Sequence, residues 1–175
     1  VRGLWVGPYL ADVFHLDAVA LGNASLAMGI AMILGSFAYG PLDRLLGTRK
    51  GVLFGGNLAL AAALLGLWAW PAAGLGLAVA LLCAVGFFGS SYPLMIAHGR
   101  SFFPHHLAGR GVTFLNLLAM GGAGLAQIAS GRVYAAATSA RPADVAGPYA
   151  VVFLFFGLLV LVGCVPYALT RDRLD

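Results

Sequence analysis

The sequence predicts an all-α membrane protein, a polytopic bundle of transmembrane helices forming a single domain over residues 1–175. Three observations carry that reading. Hydrophobic residues make up 61% of the chain and charged residues only 9%, where soluble domains carry roughly a quarter. There is no Glu and a single Lys, too few charges to clothe a water-facing surface, so lipid must cover much of it. The apolar residues also come in runs of about 20, the length that crosses a bilayer core, and polar turns separate them.

Residues 1–14 are apolar and aromatic but too short to span. They read as the outer half of a helix that begins before Val1, kinked at Pro8. The opening Val1-Arg2-Gly3-Leu4-Trp5 has neither a Met nor a basic head followed by a long apolar core, so no signal peptide is visible and the chain reads as a fragment. Asp12, His15 and Asp17 mark a water-facing turn. The first complete span covers 21–39, with Asn23 or Ser25 able to cap its start. Residues 40–50 hold the densest charge cluster. The second span, 51–70, ends in Trp68 and Trp70, whose indole rings favour the headgroup zone. After an uncharged Pro71–Gly74 turn comes the third span, 75–97. Its Gly86, Gly89, Ser90, Ser91 and Pro93 predict a bend or local loosening. A polar loop, 98–110, leads to a fourth span at 111–137. A turn with Arg141 and Asp144 precedes the fifth, 149–169, and a polar tail.

Charge is distributed unequally between the turns. Arg44, Arg49, Lys50, Arg100, Arg110, Arg171 and Arg173 fall on one side of this partition; Arg141 and Arg132 fall on the other. Basic residues collect in short cytoplasmic loops, which places the 40–50 and 98–110 loops and the C-terminus in the cytoplasm, with a bacterial inner (plasma) membrane as the expected location. The net charge of +4 therefore reflects membrane orientation and not a nucleic-acid surface. Cys83 and Cys164 lie inside apolar runs and are expected as buried thiols. Glycines one turn apart, such as Gly51 and Gly55, are expected packing surfaces between helices.

The turn Gly40-Pro41-Leu42-Asp43-Arg44-Leu45-Leu46-Gly47-Thr48-Arg49-Lys50, the broken third span, and the entry Gly109-Arg110-Gly111 into Val112-Thr113-Phe114-Leu115-Asn116 together resemble the C-terminal half of a major facilitator superfamily transporter. The likeness runs from the end of that family's seventh helix, at Trp5-Val6-Gly7-Pro8-Tyr9, through its twelfth. Gly40, Arg44 and Gly47 keep the spacing of the family's basic turn; Asp43 comes one place early, and Arg49-Lys50 one place late because Thr48 intervenes. The resemblance implies a missing N-terminal six-helix half, a solute site near the midplane between the halves, and transport by one half rocking on the other. It also implies that Gly40, Asp43, Arg44, Gly47, Arg49 and Lys50 help set the conformational state.

The expected solute pathway draws on Arg2, Trp5, Tyr9, Ser90, Ser91, Tyr92, Asn116 and Gln127. Arg2 lies eight residues before Leu10, or ~12 Å inside the membrane on a continued helix, where a cation is costly unless it meets water, a partner or an anionic solute. Trp5 and Tyr9 line the outer path or anchor at the interface. Ser90 and Ser91 repair the backbone broken by Pro93 or line the path. Asn116 and Gln127 are about three turns apart and share a face; either binds solute or bridges helices. Asn57 is expected to pack, Arg132 to snorkel, and His98, His105 and His106 to lie in a solvated loop without a metal. No complete span carries an acid near its centre, and no Lys-Ser/Thr phosphate loop exists. The function expected is secondary active transport of a small solute, an organic anion on the argument of Arg2, with no cofactor and no nucleic-acid partner. A membrane-embedded enzyme or a non-catalytic scaffold subunit are the alternatives.

Overall fold

The apolar runs become seven α-helices in a computed structural model, which describes residues 3–170 apart from the side chains of Asp43 and Arg44. They are α1 (Val6–Phe14), α2 (Ala18–Leu46), α3 (Arg49–Ala69), α4 (Leu75–Phe88), α5 (Tyr92–Arg100), α6 (Ala108–Ala140) and α7 (Ala146–Ala168), with a short 3-10 turn at His105–Leu107 ahead of α6. The described residues form no strand. Five stretches are long and apolar enough to cross a membrane: Ala18–Leu42, Arg49–Ala69, Leu75–Arg100, His105–Ala140 and Ala146–Ala168. The protein is an all-α polytopic membrane bundle.

The element boundaries differ from expectation for identifiable reasons. Pro8 does not kink α1, because it falls in the helix's first turn, where a missing N–H has no intrahelical partner to lose. The helix ends at His15, a non-glycine in the left-handed region (φ 53°). Neither Asn23 nor Ser25 caps α2. Asp17 does, accepting from the Ala20 N–H at 2.8 Å, so the helix starts earlier than 21. It also runs on through Gly40 and Pro41 to Leu46, so most of the expected basic turn is helical.

The turn proper is two residues. Gly47 closes α2 in the left-handed region (φ 62°), a conformation that glycine adopts without a Cβ penalty. Thr48 is extended and caps α3, its Oγ1 accepting from the Gly51 N–H at 2.9 Å. The residue that displaces Arg49 and Lys50 by one place is therefore the cap of the next helix. Lys50 then reaches across the bundle end, its Nζ donating to the Ala168 carbonyl at 2.6 Å and the Thr170 carbonyl at 2.8 Å. A cation there satisfies the orphan carbonyls at the end of α7.

The third span is broken, as its Gly, Ser and Pro content predicts. α4 stops at Phe88 and α5 starts at Tyr92, with Pro93 in the first turn of α5. Within lipid each loose backbone group at such a break costs on the order of several kcal/mol, because no water is there to bond it. Here they are tied up. Ser90 Oγ donates to Gly86 O at 2.8 Å, and Tyr39 Oη from α2 donates to Phe88 O at 3.0 Å.

α3 packs along α7 and against α4, α2 packs along α4, and α6 packs on α5 and α7. The α2–α4 crossing is close because glycines line it. A Cβ on Gly35 would lie 2.3 Å from the Phe87 carbonyl oxygen, and one on Gly86 would lie 3.0 Å from that of Met28. Gly56 likewise receives the Tyr39 ring. Gly51 and Gly55, the pair expected to pack, do not serve this purpose: a Cβ on Gly55 meets nothing within 4 Å, and one on Gly51 meets only Thr48. The main core joins α1, α3, α4 and α7 through Tyr9, Leu10, Leu64, Leu67, Leu82, Val152 and Phe153.

Candidate functional site

The helix order and the cross-bundle hydrogen bonds fix which groups share an end. Arg49, Lys50, Arg100 and Arg110 lie at the end where α2, α5 and α7 finish and α3 and α6 begin. The Lys50–Ala168 contact joins two of these elements directly. Arg141 and Asp144 lie at the opposite end, between α6 and α7.

Four of the expected pathway residues come together around the α4–α5 break. Tyr92 on α5 donates its hydroxyl to Asn116 Oδ1 on α6. Both residues sit eight positions from their basic-end termini, Arg100 and Ala108, or ~12 Å along each helix. Ser90 and Ser91 are buried just before Tyr92. Ser90 is committed to the Gly86 carbonyl, which matches backbone repair. Tyr92 is exposed and Asn116 half-buried, so this pair faces open space while the serines do not. Gln127 is exposed on α6, three turns further along, and its carbonyl accepts from Ser130 Oγ at 2.8 Å.

Trp5 and Tyr9 are placed elsewhere. Both are buried, with Tyr9 fully so. Trp5 Nε1 donates to Ser130 Oγ at 2.9 Å, and Tyr9 Oη donates to the Pro71 carbonyl at 2.7 Å. Their rings belong to an aromatic cluster with Tyr134, Tyr149 and Phe153; Trp5 and Tyr134 stand 4.9 Å apart by ring centroids, and Tyr9 and Phe153 5.0 Å. Tyr149 also donates to Asp12 Oδ2. The cluster pins α1 onto α6 and α7 at the end opposite the basic groups. Sequence reasoning missed Ser130, Tyr134, Tyr149 and Asp12 as its members. The hydrogen-bonded partners lie up to 137 residues apart in the chain, so no local spacing signals them.

Arg2 lies outside the described residues, as do the side chains of Asp43 and Arg44. Gly40 is exposed within α2 and a Cβ there would meet nothing within 4 Å. Arg132 is exposed, and Asn57 half-buried beside Cys164 and Tyr167. Cys164 is a buried free thiol, as expected, and Cys83 is half-buried.

One expectation is corrected outright. His98 is not a solvated loop residue: it lies in α5 and is only 2% exposed. Its Nδ1 is 2.7 Å from Tyr167 Oη on α7, and its carbonyl accepts from Ser101 Oγ. The loop begins later than 98 because α5 extends to Arg100. His105 and His106 are exposed on the 3-10 turn. Among the described residues, no three His, Cys, Asp or Glu side chains converge.

The surface is uneven. α2 and α6 are the least covered of the long helices, showing Leu26, Ile33 and Phe37 on one and Phe114, Leu117 and Leu125 on the other. Such broad apolar exposure marks a membrane or partner surface.

In comparison with known families, the sequence model described as Major Facilitator Superfamily matches residues 3–174. No curated protein and no solved structure matches the chain significantly.

Proposed function

Since the chain belongs to the major facilitator superfamily, we propose that it forms the C-terminal half of a secondary transporter that moves a small organic anion by alternating access. Membership makes membrane transport its activity class and sets it among transporters rather than enzymes. The finer reading rests on the order of its elements. α1 would be the end of the seventh helix, α2 the eighth, α3 the ninth, α4 with α5 the tenth, α6 the eleventh and α7 the twelfth. The well-packed α3 and α7 then act as outer supports, and the sparsely covered α2 and α6 face the second half.

The observation that carries the proposal is the Tyr92–Asn116 pair. It joins α5 to α6, sits beside a helix break, and carries polar groups that an apolar packing surface would not need. Broken helices beside a polar pair are how such transporters present hydrogen-bonding groups at mid-membrane depth. Arg2, on the sequence argument above, supplies the cation for the solute's carboxylate. The two apolar-faced helices take up the missing six-helix half, with the basic end on the cytoplasmic side.

Uptake of a panel of radiolabelled small carboxylates by cells carrying the complete transporter tests this. Asn116→Ala and Arg2→Ala are each expected to lower uptake about tenfold at equal membrane level, the effect of losing roughly one charge-assisted hydrogen bond. Asn116→Asp is expected to be worse for an anion than Asn116→Ala, because it sets a like charge against it. Unchanged uptake in both alanine variants would remove the pair and Arg2 from the pathway.

A further inference from the structure

We propose that Tyr39 is a positioning residue for the Tyr92–Asn116 pair, its hydroxyl standing in for a backbone donor that the α4–α5 break removes. This rests on the reading of that pair as a solute contact. It adds the group, on a third helix, that fixes where the contact lies.

In an unbroken helix the Phe88 carbonyl would accept from the N–H of Tyr92, one turn on. Here α4 stops at Phe88 and α5 restarts at Tyr92, so that step of the ladder is lost. Pro93 has no N–H to restore the next one. Tyr39 Oη donates to the Phe88 carbonyl at 3.0 Å instead. The hydroxyl is held in place from two sides. Tyr39 is 6% exposed, and it lies over Gly56 on α3, where an added Cβ would collide with the hydroxyl. Its ring also belongs to a small core with Val52 and Leu53 of α3 and Leu94 of α5. The break is thereby tied on both flanks, through a carbonyl at the end of α4 and a core side chain two residues beyond Tyr92. α4 itself is fixed on α2 by the close crossing at Gly35 and Gly86. The angle at which α5 departs is the freedom that Tyr39 removes, and that angle decides whether the Tyr92 hydroxyl meets Asn116 Oδ1 on α6.

Spin labels at Leu77→Cys on α4 and Met95→Cys on α5, both exposed, read the angle by pulsed dipolar spectroscopy of the purified chain in detergent, in a background lacking Cys83 and Cys164. The two sites would stand ~27 Å apart on an unbroken helix, a distance the method resolves. Tyr39→Phe keeps the ring and removes the hydroxyl, and should broaden the distance distribution and shift its maximum. Gly56→Ala displaces the hydroxyl without removing it and should do the same. Tyr9→Phe, the same deletion at the opposite end of the bundle, should leave the distribution unchanged. In the complete transporter, with a carboxylate that the uptake panel identifies, Tyr39→Phe should raise the half-saturating concentration about fivefold at an unchanged maximal rate. A general loss of folded protein would lower the maximal rate instead. An unchanged distribution in Tyr39→Phe, or an equal change in Tyr9→Phe, would overturn the proposal. A changed distribution with unchanged uptake also overturns it where Asn116→Ala lowers uptake. Where Asn116→Ala is silent too, the reading of the pair as a solute contact has failed first, and the proposal falls with it.

Discussion

Gly35→Val is expected to destabilise the bundle by about 3 kcal/mol, the upper range for overpacking a tight contact. Even the first added carbon would lie 2.3 Å from the Phe87 carbonyl oxygen and 2.9 Å from the Phe87 Cα. Those atoms are backbone and cannot rotate aside, so α2 and α4 must separate along their length. Separation carries further losses, because Tyr39 on α2 holds the Phe88 carbonyl at the α4–α5 break, and Gly86 seats Met28 and Met32. In lipid no water is released to drive helices together, and close van der Waals packing must do that work. Gly29→Val on the same helix is the control, since a Cβ there meets nothing within 4 Å. Thermal unfolding in detergent should show Gly35→Val falling by about 6–12 °C, at ~2–4 °C per kcal/mol for a chain of this size, with Gly29→Val within about 2 °C of the parent. Equal behaviour of the two variants would mean that the crossing is looser than described.

Tyr9→Ala is the second large effect, at about 3 kcal/mol, within the range for emptying a buried aromatic site. Tyr9 is fully buried, packs on Phe14, Tyr149 and Phe153, and ties α1 to the α3–α4 turn through the Pro71 carbonyl. Tyr9→Phe keeps the ring and removes only the hydroxyl, leaving the Pro71 carbonyl without this donor. Its cost should be about 1 kcal/mol. The ratio between the two variants separates the roles that sequence left open. A core tyrosine loses most from losing the ring, measured as unfolding midpoint. A pathway tyrosine would leave stability near that of the parent in both variants and change uptake instead.

The contrast between Tyr9 and Tyr92 shows where sequence reasoning stops. Both are tyrosines near prolines in apolar helices, and sequence alone offers both as pathway residues. One is enclosed by rings from α1 and α7; the other reaches open space to meet Asn116. The acceptors are 62 residues away for Tyr9 and 24 for Tyr92, a difference that no local pattern encodes. Glycine packing failed for a related reason. These helices are apolar on every side, so periodicity does not tell which face meets a neighbour. Gly55 and Gly56 are adjacent in sequence, yet only Gly56 receives a side chain from another helix.

What was legible depended on length and composition. The five spans follow from runs that only lipid can accommodate, and the break in the third follows from Gly89, Ser90, Ser91 and Pro93 lying together. Helix ends were less legible because capping is decided by single residues. Asp17 starts α2 before its apolar run is fully under way, and Gly47 with Thr48 compresses an eleven-residue turn into two. His98 was misplaced by the same error in boundary. The basic turn was recognisable as a motif, while its attachment to α7 through Lys50 became visible only in three dimensions.

The account depends most on these helices crossing a bilayer with the basic turn on its inner face. Single cysteines at Leu45, exposed beside the turn, and at Ala73, exposed in the turn between α3 and α4, are the direct probes, in a background lacking Cys83 and Cys164. With a membrane-impermeant maleimide, Ala73→Cys should label in intact cells and Leu45→Cys only after permeabilisation. Labelling of Leu45→Cys from outside, or recovery of the chain in the water-soluble fraction, would contradict it.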